Sequence, residues 1–184
     1  MGIRKLISVE ADKFRNHLLR LDDESRRMRF GMSVSENFIH AYANQFDEAD
    51  SVIYGYFKEG GMRAAAELRK LGEFWHPEAE AAFSVEKSFQ DAGIGSELLG
   101  RIIRSARNRG ISRLYMSCLA ENTKMQHVAK KYSAIFHFDH SEVFGELNPE
   151  TPSYISLCGE AIDDGKGYVM ALLETKSSRV PAAG

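Results

Sequence analysis

Gln90-Asp91-Ala92-Gly93-Ile94-Gly95 follows an apolar run that ends at Val85 and leads directly into a segment of helical periodicity. A strand that turns through glycines into a helix leaves consecutive backbone N–H groups unpaired at the positive end of the helix dipole. Glycine lets that backbone come close to an oxygen and take positive φ. Such a turn suits a pyrophosphate. A strand-to-helix turn with two glycines and no ligand would read the same way. A dinucleotide fingerprint needs a third glycine where Leu98 stands and an acid about 20 residues further on, and the strand at 113–119 offers none. A P-loop needs Gly-Lys-Ser/Thr after its first glycine, which is absent.

Other reactive residues are less organised. His137-x-x-His140 lies in a strand, where alternation sends the two rings to opposite faces with no third ligand in view, so no metal site is expected. Cys118 sits in an apolar strand without an evident base, as a core thiol does. Arg101, Arg104, Arg107, Arg109 and Arg113 follow the glycine turn. They form either a solvated face or, for one or two of them, a phosphate contact.

Composition narrows the setting. The 184 residues fit one domain, expected over 1–176 with a fraying tail at 177–184. Hydrophobic residues make up 43%, enough for a core. Twenty-four basic against 26 acidic side chains give a formal charge of -2, which argues against a nucleic-acid binder. Two cysteines are too few for a disulfide framework. The N-terminal segment lacks the apolar stretch of a signal peptide, and Leu6 stands where a myristoylation signal wants Ser or Thr. With no run of about 18 apolar residues, no membrane span is expected. A reducing, cytoplasmic setting follows as an expectation.

The elements that must position the turn can be read from periodicity. Residues 12–21 place Phe14, Leu18 and Leu21 on one helical face, and Ser33-x-x-Glu36 reads as a capping box opening a helix with Phe38, Ile39 and Tyr42. Between them lies a basic stretch, Arg26 to Phe30. Residues 52–57 and 62–71 form a hairpin around Glu59-Gly60-Gly61, and 79–85 is a further strand. Residues 95–108 carry Leu98, Leu99, Ile102, Ile103 and Ala106 at helical spacing, stopped by Gly110. A strand at 113–119, a helix at 123–132, and strands at 134–138 and 142–147 follow. Residues 153–176 look helical with an interruption near 163–167. This order predicts an α/β chain, a central mixed sheet flanked by helices.

With these residues in place, the chain resembles the GNAT superfamily of N-acetyltransferases, and most nearly its protein-acetylating type. The family motif Q/R-x-x-G-x-G/A is matched by Gln90, Gly93 and Gly95. Ala79-Glu80-Ala81-Ala82-Phe83-Ser84-Val85 is similar to the family's fourth strand, 113–119 to its fifth, and Asn122 to a recurring asparagine. The resemblance covers about residues 50 to 147. It implies the GNAT acyl-CoA N-acyltransferase fold, with acetyl-CoA as co-substrate in the gap between two splayed parallel strands. Backbone groups of Phe83 and Val85 are then expected to pair with the pantetheine arm. Gln90 and the loop amides of Asp91, Ala92, Gly93, Ile94, Gly95 and Ser96 are expected to hold the pyrophosphate, with Asn122 beside them.

The same resemblance assigns chemistry. Glu80 matches the general-base glutamate of several relatives, although an exposed strand glutamate would occupy the position equally well. The family's tyrosine acid would fall on Ala129. Tyr132 is three residues later on the same helix face, and is the substitute candidate as well as a natural core residue. The usual glycine after this helix is Ser133. A domain that binds acyl-CoA as a sensor and catalyses weakly is the alternative to an N-acetyltransferase. The acceptor is an amine, a small molecule or a protein lysine, and its wall is expected around residues 26–30 and 73–78, including Trp75. No nucleic-acid or membrane partner is expected, and a homodimer is left open.

Overall fold

The computed structural model describes residues 2–46, 51–71 and 77–177, with the side chains of 175–177 left aside. Seven strands form one sheet in the order β1-β2-β3-β4-β5-β7-β6. The strands are β1 (Gly2–Lys5), β2 (Ser51–Lys58), β3 (Gly61–Leu71), β4 (Glu78–Val85), β5 (Arg113–Leu119), β6 (Ile135–Asp139) and β7 (Glu142–Leu147). The helices are α1 (Ala11–Arg20), α2 (Asp23–Phe30), α3 (Glu36–Ala43), α4 (Ile94–Asn108), α5 (Thr123–Lys130) and α6 (Tyr154–Ser177). The expected substrate-wall segment with Trp75, and tail residues 178–184, lie outside the described residues. None of the described helices is long and apolar enough to cross a membrane.

Both faces of the sheet are covered, which is why β2 and β3 are apolar nearly throughout. On one face Leu98, Leu99, Ile102 and Ala106 of α4 pack on Tyr54, Ala64, Ala66, Ala79 and Ala81. On the other, Phe14 and Leu18 of α1 and Ile39 of α3 pack on Ile53, Met62 and Ala65. Consecutive alanines at 64–66 of β3 face both sides of the sheet and let helices lie close on each.

α4 ends as Gly110 predicts. That glycine has φ +69°, its N–H bonds to the Arg107 carbonyl at 3.0 Å, and the Ile111 N–H bonds to the Ala106 carbonyl at 3.0 Å. The pair of bonds is a Schellman closure.

Three expectations change. The capping box at Ser33 does not form: the Ser35 hydroxyl accepts from the Phe38 N–H at 3.2 Å, making Ser35 the cap and Glu36 the first helical residue. α6 runs without interruption through Gly165 and Gly167. At Gly167 an added Cβ would stand 3.0 Å from that of Arg4, so glycine there serves close packing on β1. The basic stretch 26–30 is part of a helix, α2, capped by Asp22, whose carboxylate accepts from the Ser25 N–H at 2.9 Å. Neither α2 nor β1 was anticipated.

All adjacent strands are antiparallel except β4 and β5. That parallel ladder is short: Glu78 pairs with Arg113, Ala79 with Leu114 and Glu80 with Tyr115, and there it stops. Beyond it the strands part, so residues 81–85 run roughly 16 Å along a gap.

Candidate active site and acyl-CoA cleft

Backbone parity decides which groups face the gap. The Glu86 N–H bonds to Arg63 of β3, whereas the Pro77 carbonyl accepts from Ser112 ahead of β5. Even-numbered residues of β4 therefore direct their backbone groups to β3. Odd-numbered ones, Ala81, Phe83 and Val85, direct theirs into the gap. An open strand edge of this kind is a template for an extended ligand. Gln90 closes one end of it: its Nε2 donates to the Val85 carbonyl at 3.1 Å and to Ser25 Oγ at 3.3 Å. The side chain of the motif's first residue thus seals the strand end.

A short 3₁₀ turn, Lys87–Phe89, carries the chain from β4 to the glycine loop. Asp91 and Gly93 both adopt positive φ, +61° and +78°. Gly93 is the residue before α4, makes no side-chain cap, and its carbonyl accepts the first helical bond from Glu97 at 3.1 Å. The N–H groups of Ile94, Gly95 and Ser96 belong to the first helical turn, which has no intrahelical partners to offer them.

The loop, the end of β4, α2 and α5 enclose a cleft of about 980 Å³. Of the residues expected on this site, Phe83, Val85, Gln90, Asp91, Gly93, Gly95, Ser96 and Asn122 line it, while Ala92 and Ile94 contribute to the turn without lining it. Asn122 caps α5, its Oδ1 accepting from the Met125 N–H at 3.1 Å. A second cavity of about 180 Å³ lies deeper, against Glu80, Ala82, Cys118 and Glu142. Met28, Arg29, Phe83, Asn122 and Met125 line both, so the two spaces adjoin.

The cations at this cleft are not those of the arginine run. Arg101 and Arg104 pair with Asp163 of α6, Arg109 with Glu160, Arg107 with Glu150, and Arg113 with Glu78; none of the five lines the cleft. Lys87, Lys124, His127 and Lys131 line it instead. Lys124 Nζ is held at the loop by Asp91 at 2.8 Å and Gln90 Oε1 at 3.1 Å. The signal was present in the sequence: positions 124, 127, 128 and 131 share one helical face.

Around the smaller cavity charge is partly cancelled. Arg29 of α2 is buried and ion-paired to Glu67 of β3, and it donates to Tyr42 Oη at 2.6 Å. Tyr42 in turn donates to Glu67 at 2.8 Å. Burial works against the Arg29 charge, but Glu67 outweighs it and raises the guanidinium's pKa. Burial and the Glu67 charge push the Tyr42 phenol up to about 12. With Arg29 neutralised by Glu67, the carboxylates of Glu80 and Glu142 set the local sign. Burial pushes the Cys118 thiol up as well, which keeps it from acting as a thiolate.

A second buried group ties α1 to β4. His17 Nδ1 lies 3.2 Å from Glu86 and Nε2 2.9 Å from Ser84 Oγ. Burial holds the imidazole neutral, with its pKa below the ordinary value. Nδ1 then donates to the carboxylate and Nε2 accepts from the serine. Burial pushes Glu86 the other way, but its bonds from His17 and Arg20 prevail and keep it ionised.

Tyr132 is placed differently from Glu80. Its ring packs against the α4-side core and its hydroxyl donates to the Ser96 carbonyl at 2.8 Å. It lines neither cavity. The oxygen would stand 2.8 Å from a Cβ at Gly100, so this glycine makes room for the tyrosine. Ala129, at the family's tyrosine position, is buried.

Comparison with known proteins agrees with this fold. The GNAT domain of S. lividans PAT superposes with a TM-score of 0.67 at 27% identity, covering 79% of this chain and 89% of that one. A cAMP-binding acyltransferase from Mycobacterium smegmatis gives a TM-score of 0.58 at 22% identity; 92% of this chain matches 51% of that one. RimL, a ribosomal L7/L12 alpha-N-protein acetyltransferase solved with coenzyme A, gives a TM-score of 0.63 at 14% identity, over 83% and 97% of the two chains. The sequence model of the Acetyltransferase (GNAT) family matches residues 16–133, and the chain belongs to that family.

Proposed function

We propose that the protein moves an acetyl group from acetyl-CoA directly to a primary amine, with Glu80 as general base. The observation that carries this reading is the position of Glu80. It stands on the last rung that joins β4 to β5, and it lines the small cavity adjoining the cleft. A donor lying along residues 81–85, with its pyrophosphate at residues 91–96, would bring its acyl end to that rung. The cofactor supplies an activated thioester. Glu80 takes one proton from the arriving ammonium, which frees the nitrogen lone pair; the C–N bond then forms as the C–S bond breaks, and the nitrogen's second proton passes to water. The Ala81 N–H, facing the gap beside Glu80, is a donor for the carbonyl oxygen as it gains charge. The thiolate takes its proton from water.

Glu80 and Glu142 favour an acceptor that arrives cationic, as a lysine side chain or a small amine does. Tyr132 is a positioning residue in this scheme, joining α5 to the first turn of α4. Tyr132→Phe is expected to lower stability by about 1 kcal/mol through the lost hydrogen bond, with turnover nearly unchanged. A fall of a hundredfold or more, the scale of a lost acid, would return Tyr132 to the chemistry.

The commitment of that hydroxyl to Ser96 favours a second reading, an acyl-CoA sensor with little turnover. Thermal shift with acetyl-CoA, followed by thiol release with lysine peptides, polyamines and amino acids, separates the two. Stabilisation with thiol release from at least one amine supports the enzyme. Stabilisation alone leaves the sensor, and no stabilisation removes both.

A further inference from the structure

Helix α6 is turned inside out. Its charged face lies on the protein: Glu174 pairs with Arg4 at 2.9 Å and Lys13 at 3.4 Å, Asp164 with Lys5 at 3.6 Å, and Glu160 with Arg109 at 2.8 Å. Asp163 takes both Arg101 and Arg104. These bonds span the helix and fix its rotation. Its apolar residues are left outside, nine large side chains between Tyr154 and Leu173 exposed by 42–86%. Exposed apolar side chains in this number along one helix mark an interface.

We propose that this stripe pairs with the same stripe of a second copy, the two α6 helices running antiparallel and crossing at Gly165. The spacing is symmetric about that residue. Ile162 and Tyr168 lie three positions either side, Ala161 and Val169 four, Cys158 and Leu172 seven. Leu157 and Leu173 lie eight away. Offsets of three, four and seven stay within about 60° of Gly165 around the helix, and those of eight lie about 80° off at the margins, Leu157 close to the line of Asp164. An antiparallel twofold sets each member level with its mate on the partner, the self-complementarity an isologous interface needs. Gly165 has no atom within 4 Å of an added Cβ, so the crossing point is open to close backbone approach.

Six of the nine, Leu157, Ile162, Tyr168, Val169, Leu172 and Leu173, have a mate in this pairing. At roughly 80 Å² each, about half of what a large side chain presents, they offer on the order of 500 Å² per copy. That is below the about 800 Å² each side of a standard complex buries and suits a weak, reversible dimer. A membrane surface fits less well. Interfacial helices carry Lys and Arg on the polar face, whereas the polar face of α6 carries Glu160, Asp163, Asp164 and Glu174, with Lys166 at the rim.

The test is light-scattering mass of the full chain at tens of micromolar, where wild type should read twice 20.7 kDa. Val169→Glu, on the exposed stripe, should read a single chain with an unchanged circular dichroism spectrum; Ile162→Arg serves should that variant misfold. Leu172→Cys should cross-link to native Cys158 of the other copy under mild oxidation. Cys158 alone should not cross-link, since the two copies of it would lie about 21 Å apart along the axis. A monomeric wild type, a dimer indifferent to both charge substitutions, or cross-linking through Cys158 alone overturns the arrangement. So does a Leu172→Cys variant that never cross-links. Co-sedimentation of a monomeric wild type with phosphatidylcholine–phosphatidylserine vesicles would assign the stripe to lipid instead.

Discussion

Glu80→Gln is expected to lower turnover at neutral pH by about 10² to 10⁴, the range for loss of a positioned base. Affinity for acetyl-CoA should barely change, because the proposed donor contacts are backbone groups and the glycine loop, none of them Glu80. The amide keeps the shape of the carboxylate and its place on the last β4–β5 rung. What it lacks is the capacity to accept the amine's proton. The variant should therefore recover as pH rises towards the acceptor's own pKa, about 10.4 for a lysine, while wild type should already be fast near neutrality. The measurement is a pH–rate profile of both proteins with one working amine, beside calorimetric affinity for acetyl-CoA. Profiles that overlay would place the base elsewhere or show that the amine enters neutral.

The second large effect is expected at Gly93→Val. Gly93 sits at φ +78°, where a β-branched residue is a genuine outlier. No heavy atom lies within 4 Å of an added Cβ, so the damage comes from the backbone and not from a clash within the protein. Left-handed backbone costs an L-residue about 1–2 kcal/mol. Relief of that strain would swing the N–H groups of Ile94 to Ser96 away from the phosphates. Hydrogen bonds to a charged group contribute about 1.5–3 kcal/mol each, so losing one or two would lower acetyl-CoA affinity by roughly 10- to 10⁴-fold. Calorimetry on folded variant protein reads this directly, and unchanged affinity would remove the loop from the pyrophosphate site.

The glycine loop was legible because its constraint is local. Gln90, Gly93 and Gly95 stand within six positions, and the α4 periodicity begins immediately after them. The helices and strands with one strongly apolar face were legible for the same reason, β5 and β7 to the residue. α2 was not, because none of its apolar residues is buried. A helix held by its cap, by Arg29 and by contact with a ligand cleft leaves no apolar stripe to count. The arginines misled because a run of cations says nothing about what opposes it. Four of the five find their carboxylate partners on α6 and its approach, about fifty or sixty residues later for Arg101, Arg104 and Arg109, and Arg113 finds Glu78 on β4. α6 itself seemed broken because two glycines disfavour a helix by about 1 kcal/mol each, whereas its ion pairs and the contact at Gly167 act in three dimensions only. Tyr132 shares a helix face with the expected position, and sequence spacing alone does not reveal that its hydroxyl is bound to Ser96.

The short ladder between β4 and β5 makes the sheet two leaves on a narrow spine. Four strands lie to one side of it and three to the other. Glu80 belongs to the first leaf and Glu142 to the second, so the distance across the small cavity depends on the angle between leaves. Helix α2 touches both leaves and α4 packs on α5, and a chain-like guest along residues 81–85 would hold that angle further by supplying the rungs the strands do not make with each other. On the proposed reading, the small cavity would attain its working width for an acceptor after the donor has entered. Catalysis on this scaffold should be ordered, donor first, as a matter of leaf geometry and not of overlap between the two binding places.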